Sequence, residues 1–206
     1  MLVCGVDEAG RGSVVGPLVI AGVLIERNKI KHLSKIGVKD SKLLSPKSRE
    51  NLYKKIISIV DDYYVTRIPP SVIDRSVSKN QLNDLEAKYM AKVIEKLKPS
   101  SAYVDSCDVN PARFGTQISK LAKIKKVYSS HHADRRFPVV SAASIIAKVN
   151  RDRVIEKLRL NYDVGSGYPS DSKTMEFIRR YIGLHGFPPK FARKSWKPIK
   201  IMLNQV

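Results

Sequence analysis

Apolar residues recur with two different periods along this chain. Residues 2–7 and 17–25 are almost continuous apolar runs, the pattern of strands buried on both faces. Residues 63–68 read as a third strand stopped by Pro69-Pro70, residues 101–105 as a short fourth, and residues 124–128 as a basic fifth. Between them the helical period takes over. Ser45-Pro46 reads as an N-cap followed by a first-turn proline, and Leu52, Ile56, Ile57 and Val60 continue at helical spacing. Residues 80–97 carry Leu82, Leu85, Tyr89, Met90, Val93, Ile94 and Leu97 on one stripe and are the clearest helix, ended by Lys98-Pro99. Helices are also predicted at 111–122, at 139–160 with a buried first half (Ala142, Ala143, Ile146, Ala147), at 172–185 with Gly186 as its stop, and at 194–203. Residues 131–136 and 165–169 read as loops. Strands first, as an antiparallel meander, and then strands alternating with helices argue an α/β domain: a mixed five-stranded sheet flanked by helices on both faces.

At 206 residues the chain suits one sizeable domain, residues 1–206, with the helical C-terminal region from about 139 as a subdomain. Neither an internal repeat nor a low-complexity linker marks a boundary. No apolar run reaches membrane-spanning length. Residues 1–6 lack a signal peptide's basic start, which points to the cytoplasm. Cys4 and Cys107 lie far apart, without zinc spacing, and read as reduced core residues.

Charge changes this picture. There are 38 Lys and Arg against 19 Asp and Glu, a net of +19, and residues 135–206 hold 15 of the cations with 5 acids. A fold gains nothing from this, because like charges oppose compaction. A polyanion, nucleic acid first, is the simplest partner, with a lysine-rich solvated surface as the plain alternative.

Against this basic background three carboxylate positions share one placement. Asp7-Glu8, Asp105 and Asp134 each lie at or just beyond the end of a strand, where open α/β sheets collect chemistry. If the first and fourth strands are parallel neighbours, Asp7 and Asp105 fall side by side. Clustered carboxylates repel, and a divalent cation offsets that; all-oxygen ligands favour Mg²⁺ or Mn²⁺. One Asp at a strand end is more commonly a cap or turn residue. Gly10-Arg11-Gly12 reads as a tight turn or as bare backbone for a ligand. Tyr168, in a glycine loop, reads as a stacking residue or a half-buried anchor. His131 and His132 read as loop residues or minor nucleic-acid contacts.

Taken together, these motifs resemble ribonuclease HII, the type 2 ribonuclease H family, in its archaeal form. The resemblance rests on Asp7-Glu8-Ala9-Gly10-Arg11-Gly12 with Gly16-Pro17-Leu18-Val19, on Asp40-Ser41-Lys42-Leu43-Leu44-Ser45, and on Tyr103-Val104-Asp105. It rests further on Ala133-Asp134 ahead of the helix from Val140, on Gly165-Ser166-Gly167-Tyr168-Pro169, and on Arg193-Lys194-Ser195-Trp196. It implies a ribonuclease H-like fold and hydrolysis of RNA in RNA/DNA hybrids. It also implies incision 5′ of single ribonucleotides embedded in duplex DNA, leaving 3′-hydroxyl and 5′-phosphate ends. Asp7, Glu8, Asp105 and Asp134 would be the catalytic, metal-binding acids for two Mg²⁺ or Mn²⁺ ions. Gly10, Arg11 and Gly12 would read the 2′-hydroxyl, Tyr168 would stack on the next deoxyribose, and Lys42 would sit near the scissile phosphate.

Two departures stand out. Ser13 replaces a common proline, and His131-His132 replaces the more usual His-Lys. The ending Asn204-Gln205-Val206 is too short for a sliding-clamp tether, so clamp tethering is not expected; separately, a monomer is expected. Two rival readings remain: a non-catalytic basic RNA-binding protein, and a DNA recombination nuclease on the same fold.

Overall fold

The computed structural model describes residues 1–38 and 44–204, so the Asp40-Ser41-Lys42 motif, and Lys42 with it, lies outside the described residues. The apolar runs form the expected sheet. Strands β1 (Leu2–Ala9), β2 (Leu18–Glu26), β3 (Asp62–Ile68), β4 (Ser101–Asp105) and β5 (Val127–Ser130) lie in the order β3-β2-β1-β4-β5. The sheet is mixed, with β1, β4 and β5 parallel to one another. The β1–β4 register sets Cys4 opposite Ala102 and Val6 opposite Val104, so one step further brings Asp7 level with Asp105.

Helices follow the apolar stripes. In chain order they are α1 (Ile30–Lys35), α2 (Pro46–Ile59), α3 (Pro70–Val77), α4 (Leu82–Leu97), α5 (Pro111–Ala122), α6 (Ala133–Arg136), α7 (Pro138–Arg159), α8 (Ser172–His185) and α9 (Lys197–Leu203). Ser45 caps α2 through its side chain, which accepts from Ser48 N, with Pro46 in the first turn. Helix α8 ends at Gly186.

Two close approaches show that both faces of the sheet are covered. A Cβ at Gly5 would stand 2.3 Å from the carbonyl carbon and oxygen of Val139, so the start of α7 lies directly on the β1 backbone. A Cβ at Gly22 of β2 would meet Val93 and Leu97 of α4, with the Cys4 sulfur 3.5 Å away. Cys4 and Gly5 are consecutive and therefore face opposite ways. Helices α4 and α7 accordingly cover opposite faces.

The chain divides into two compact units. The first comprises Met1–Ala9, Ile20–Thr66 and Asn83–Asn150, and holds the strand ends that bear the acids. The second comprises Gly10–Val19, Arg67–Leu82 and the chain from Arg151 onward. It has its own core, in which Val14, Val15, Ile155, Val164, Phe177, Ile178, Ile182 and Ile199 pack together. Among the described residues no helix is long and apolar enough to cross a membrane.

Several boundaries differ from the sequence pattern. Pro69-Pro70 stops β3 but also starts α3, because proline's fixed φ suits a first helical turn. Asn80, at φ 57°, delays α4 to Leu82. The fifth strand is displaced to Val127–Ser130, leaving Lys125 and Lys126 exposed before it. Part of the polar stretch 131–136 is the one-turn helix α6, entered through a left-handed His132 at φ 54°. Helix α9 begins only at Lys197, since the Lys194 and Ser195 amides donate to the Asp74 carboxylate instead.

Gly5→Ala is expected to be the most damaging one-carbon change in β1. The added methyl meets backbone, which has no rotamer to yield, so a loss of about 2–3 kcal/mol or more is expected. Urea denaturation measures it, and an unchanged midpoint would contradict the close contact between β1 and α7.

Candidate active site

The strand ends bring carboxylates together in the first unit. Asp7, near the end of β1, is 4% exposed, and its Oδ1 accepts from the Glu8 amide at 2.7 Å. Burial raises the Asp7 pKa to about 7; the Asp105 charge and, less strongly, Asp134 add to this, against hydrogen bonds from Ser144 and the Glu8 amide. Glu8 is also pushed well above the usual carboxylate range, first by burial and then by the charges of Asp7, Glu86 and Asp105. Its Oε2 is buried without a hydrogen-bond partner.

Asp105 closes β4, and its Oδ1 accepts from the Ala133 amide at 2.6 Å, which ties the start of α6 to the strand end. Asp134 sits in α6 at 7% exposure, and Ser141 of α7 donates to its backbone carbonyl. Tyr103 of β4 lies against Tyr128 and Phe137, with ring centroids 5.0 and 4.7 Å apart, so aromatic packing holds the chain on either side of α6 to the sheet. The four acids thus share one electrostatic neighbourhood. Among the described residues, no three His, Cys, Asp or Glu side chains converge into a ready-made metal cluster.

In donor chemistry the site fits a hard divalent cation. Every predicted ligand is a carboxylate, two of them are held above their normal pKa by burial and mutual charge, and Glu8 presents a buried oxygen with no proton donor. His131 and His132 are exposed, and the His131 Nδ1 lies 3.3 Å from the Ser106 carbonyl oxygen.

The Gly10-Arg11-Gly12 loop belongs to the second unit, and its two glycines serve different needs. Gly10 has φ 84°, and a Cβ there would stand 2.8 Å from the Arg151 side chain. Gly12 has no such constraint: it is exposed, and a Cβ there would meet nothing within 4 Å. The loop is held from two directions. Val14 and Val15 amides donate to the Gly167 carbonyl at 2.8 and 3.1 Å, joining residues 10–16 to the loop that carries Tyr168. Arg193, 0% exposed, donates to the carbonyls of Gly10 (2.7 Å), Arg11 (2.8 Å) and Gly16 (3.1 Å).

Tyr168 is half-buried. The Arg151 guanidinium lies 4.2 Å from its ring centroid and donates to the Ser166 carbonyl at 2.7 Å. Asp171 caps α8 and accepts from the Ser166 amide at 2.5 Å; these hydrogen bonds hold its pKa down to about 2 and fix the loop to the helix.

The sequence pattern places Arg151 and Arg193 only within a basic C-terminal third. Both are buried and bond the protein's own carbonyls, so neither is available to phosphate. Arg193 stands in a recognisable motif, but burial of a guanidinium leaves no mark on periodicity. Glu86, buried in α4 and acting on Glu8, gives no signal either.

Comparison with known proteins agrees with this geometry. The family model for ribonuclease HII matches residues 4–199. Ribonuclease HII of Cenarchaeum symbiosum is 57% identical over 202 residues, 98% of each chain. The crystal structure of ribonuclease H2 from Pyrococcus horikoshii superposes with a TM-score of 0.94 at 45% identity, covering 100% of this chain and 98% of that one. Ribonuclease HII of Archaeoglobus fulgidus, solved in complex with PCNA, superposes at 0.89 with 41% identity and 96% coverage of both chains. The mixed sheet is therefore the ribonuclease H-like fold, and the chain belongs to the ribonuclease HII family, nucleases that act on RNA/DNA hybrids.

Proposed function

We propose that this nuclease also incises duplex DNA 5′ of a single embedded ribonucleotide, leaving 3′-hydroxyl and 5′-phosphate ends. The observation that carries the reading is the juxtaposition of buried Asp7 with Asp105 across parallel strands, beside Glu8 and Asp134. The family depends on divalent metal. Asp7, Glu8, Asp105 and Asp134 would hold two Mg²⁺ or Mn²⁺ ions. Such ions, when bound, activate water and stabilise the charge that develops on the phosphodiester. The chain's own residues orient the rest: Ser144 and the Glu8 amide fix Asp7, and the Ala133 amide fixes Asp105.

Backbone N–H groups of Gly10-Arg11-Gly12 would contact the 2′-hydroxyl, the group that distinguishes RNA from DNA. Gly12 supports this reading: the fold leaves room for a side chain there, so packing does not require the glycine. Tyr168 would stack on the deoxyribose that follows, with Lys42 near the scissile phosphate. The basic C-terminal third would bind the duplex backbone through its exposed cations. The enzyme would act as a monomer in the cytoplasm. The PCNA complex of the Archaeoglobus fulgidus relative argues against the expected lack of clamp binding, and a sliding clamp joins the proposed partners.

A duplex with one ribonucleotide tests the whole reading. Incision at that position in Mg²⁺ or Mn²⁺, abolished by EDTA, is expected; no cleavage with either ion, or equal cutting of all-DNA duplex, would refute it. Asp7→Asn should lower turnover at least about a hundredfold. The same change should stabilise the metal-free protein. A carboxyl whose pKa rises from 3.8 to about 7 on folding is protonated more readily in the folded chain, so its burial costs stability increasingly between about pH 4 and pH 7. In EDTA, Asp7→Asn should therefore gain about 1–3 kcal/mol over the parent at pH 8 and clearly less at pH 5. Equal urea midpoints at both values would contradict a charge-crowded site. Tyr168→Ala should reduce incision at the single ribonucleotide more than duplex binding, and matched losses would make it a structural anchor.

A further inference from the structure

We propose that Arg193 is a positioning residue that aims the backbone amides of the Gly10-Arg11-Gly12 loop, and so sets the enzyme's discrimination between ribose and deoxyribose. The inference rests on the proposed role of that loop as the 2′-hydroxyl reader.

A planar trans peptide holds its carbonyl and N–H on opposite sides. Arg193 Nη2 draws the Gly10 carbonyl inward, so the N–H of the same peptide, that of Arg11, is directed away from the guanidinium. Nη1 does the same to the Arg11 carbonyl and so to the Gly12 N–H. Two successive amides are thereby turned away from Arg193, and successive backbone N–H groups are donors of the kind that receives an oxygen ligand. Nε binds the Gly16 carbonyl and fixes the far end of the loop. One planar fork thus spans three carbonyls, which a lysine's donors, radiating from a single nitrogen, do not reproduce.

The placement of Arg193 is itself determined on several sides. Its amide donates to the Val14 carbonyl at 2.9 Å, Trp196 lies 4.9 Å from the guanidinium, and the next two residues are tied to Asp74 of α3. A wholly buried cation is costly, and hydrogen bonds to carbonyls offset that cost. Gly10's carbonyl also accepts from Ser13 Oγ at 2.9 Å and Ser13 N at 3.2 Å, so three donors converge on the oxygen that orients the Arg11 amide.

The test is a ratio of affinities, which does not depend on how much of a preparation is folded. Binding of a duplex with one embedded ribonucleotide, and of the all-DNA duplex of the same sequence, is measured by fluorescence anisotropy in EDTA. Wild type, Arg193→Lys and Gly12→Ala are compared, with melting curves alongside. The wild type is expected to prefer the ribonucleotide duplex by about tenfold, the value of one or two hydrogen bonds. Arg193→Lys should bring that preference to within about twofold of unity while all-DNA affinity stays within about twofold of wild type. Gly12→Ala should lose the preference too. A wild-type ratio near one, or a preference that survives Gly12→Ala, sinks the reader loop and this inference with it. A preference lost in Gly12→Ala but kept in Arg193→Lys overturns the role of Arg193 alone. Should Arg193→Lys fail to melt cooperatively, Ser13→Ala decides: it removes one donor from the same Gly10 carbonyl and leaves the arginine in place. A fall in preference of about twofold or more then supports the proposal, and a smaller one overturns it.

Discussion

Mutual repulsion among carboxylates at the ends of two parallel strands is the constraint around which the first unit is built. The β1–β4 register brings Asp7 level with Asp105, and the Ala133 amide then ties the turn bearing Asp134 to Asp105. Such an arrangement works against the fold that holds it, because burial and like charge both disfavour ionisation. It persists because the surrounding packing is dense. Helix α7 rests on Gly5 without an intervening side chain, and it presents Ser141 and Ser144 to two of the acids. The same contact therefore serves stability and positions the groups the proposed chemistry needs.

In the second unit, buried cations play the organising part. Arg193 and Arg151 bind loop carbonyls, Gly167 accepts from two amides of the 10–16 loop, and Asp171 fastens the Tyr168 loop to α8. Loops without regular secondary structure are usually more mobile than the elements they connect. Here side chains substitute for a ladder and satisfy carbonyls that neighbouring strands would otherwise take. A strongly basic sequence thus has two kinds of arginine: exposed ones suited to a polyanion, and internal ones that shape loops.

Much of this architecture is legible in the residue pattern alone. Continuous apolar runs give strands their identity and their buried placement, which is why β1, β2 and β4 and the acids at or just beyond their ends can be read directly. The 16-residue helix α4 can be read because a long stripe averages out local exceptions. Short elements cannot. Helix α6 has four residues and begins from a left-handed histidine, so no apolar period exists to detect. Helix α3 is hidden because two prolines look the same whether they end a strand or open a helix. Edge strand β5 is displaced because the exposed Lys125 and Lys126 ahead of it interrupt the apolar pattern that would mark its start. The depth of Arg151 and Arg193 is illegible for a different reason: it depends on residues distant in the chain coming together.

The contrast between Gly10 and Gly12 bears on how such a family would diverge. Position 10 answers to the backbone, through its left-handed φ and the Arg151 side chain beside it. Position 12 answers to nothing in the fold. A descendant that no longer needed to sense ribose could fill position 12 at no cost to folding, yet would still keep glycine at 10. Variation at these two sites, two residues apart, would then record separate histories, one of substrate choice and one of foldability.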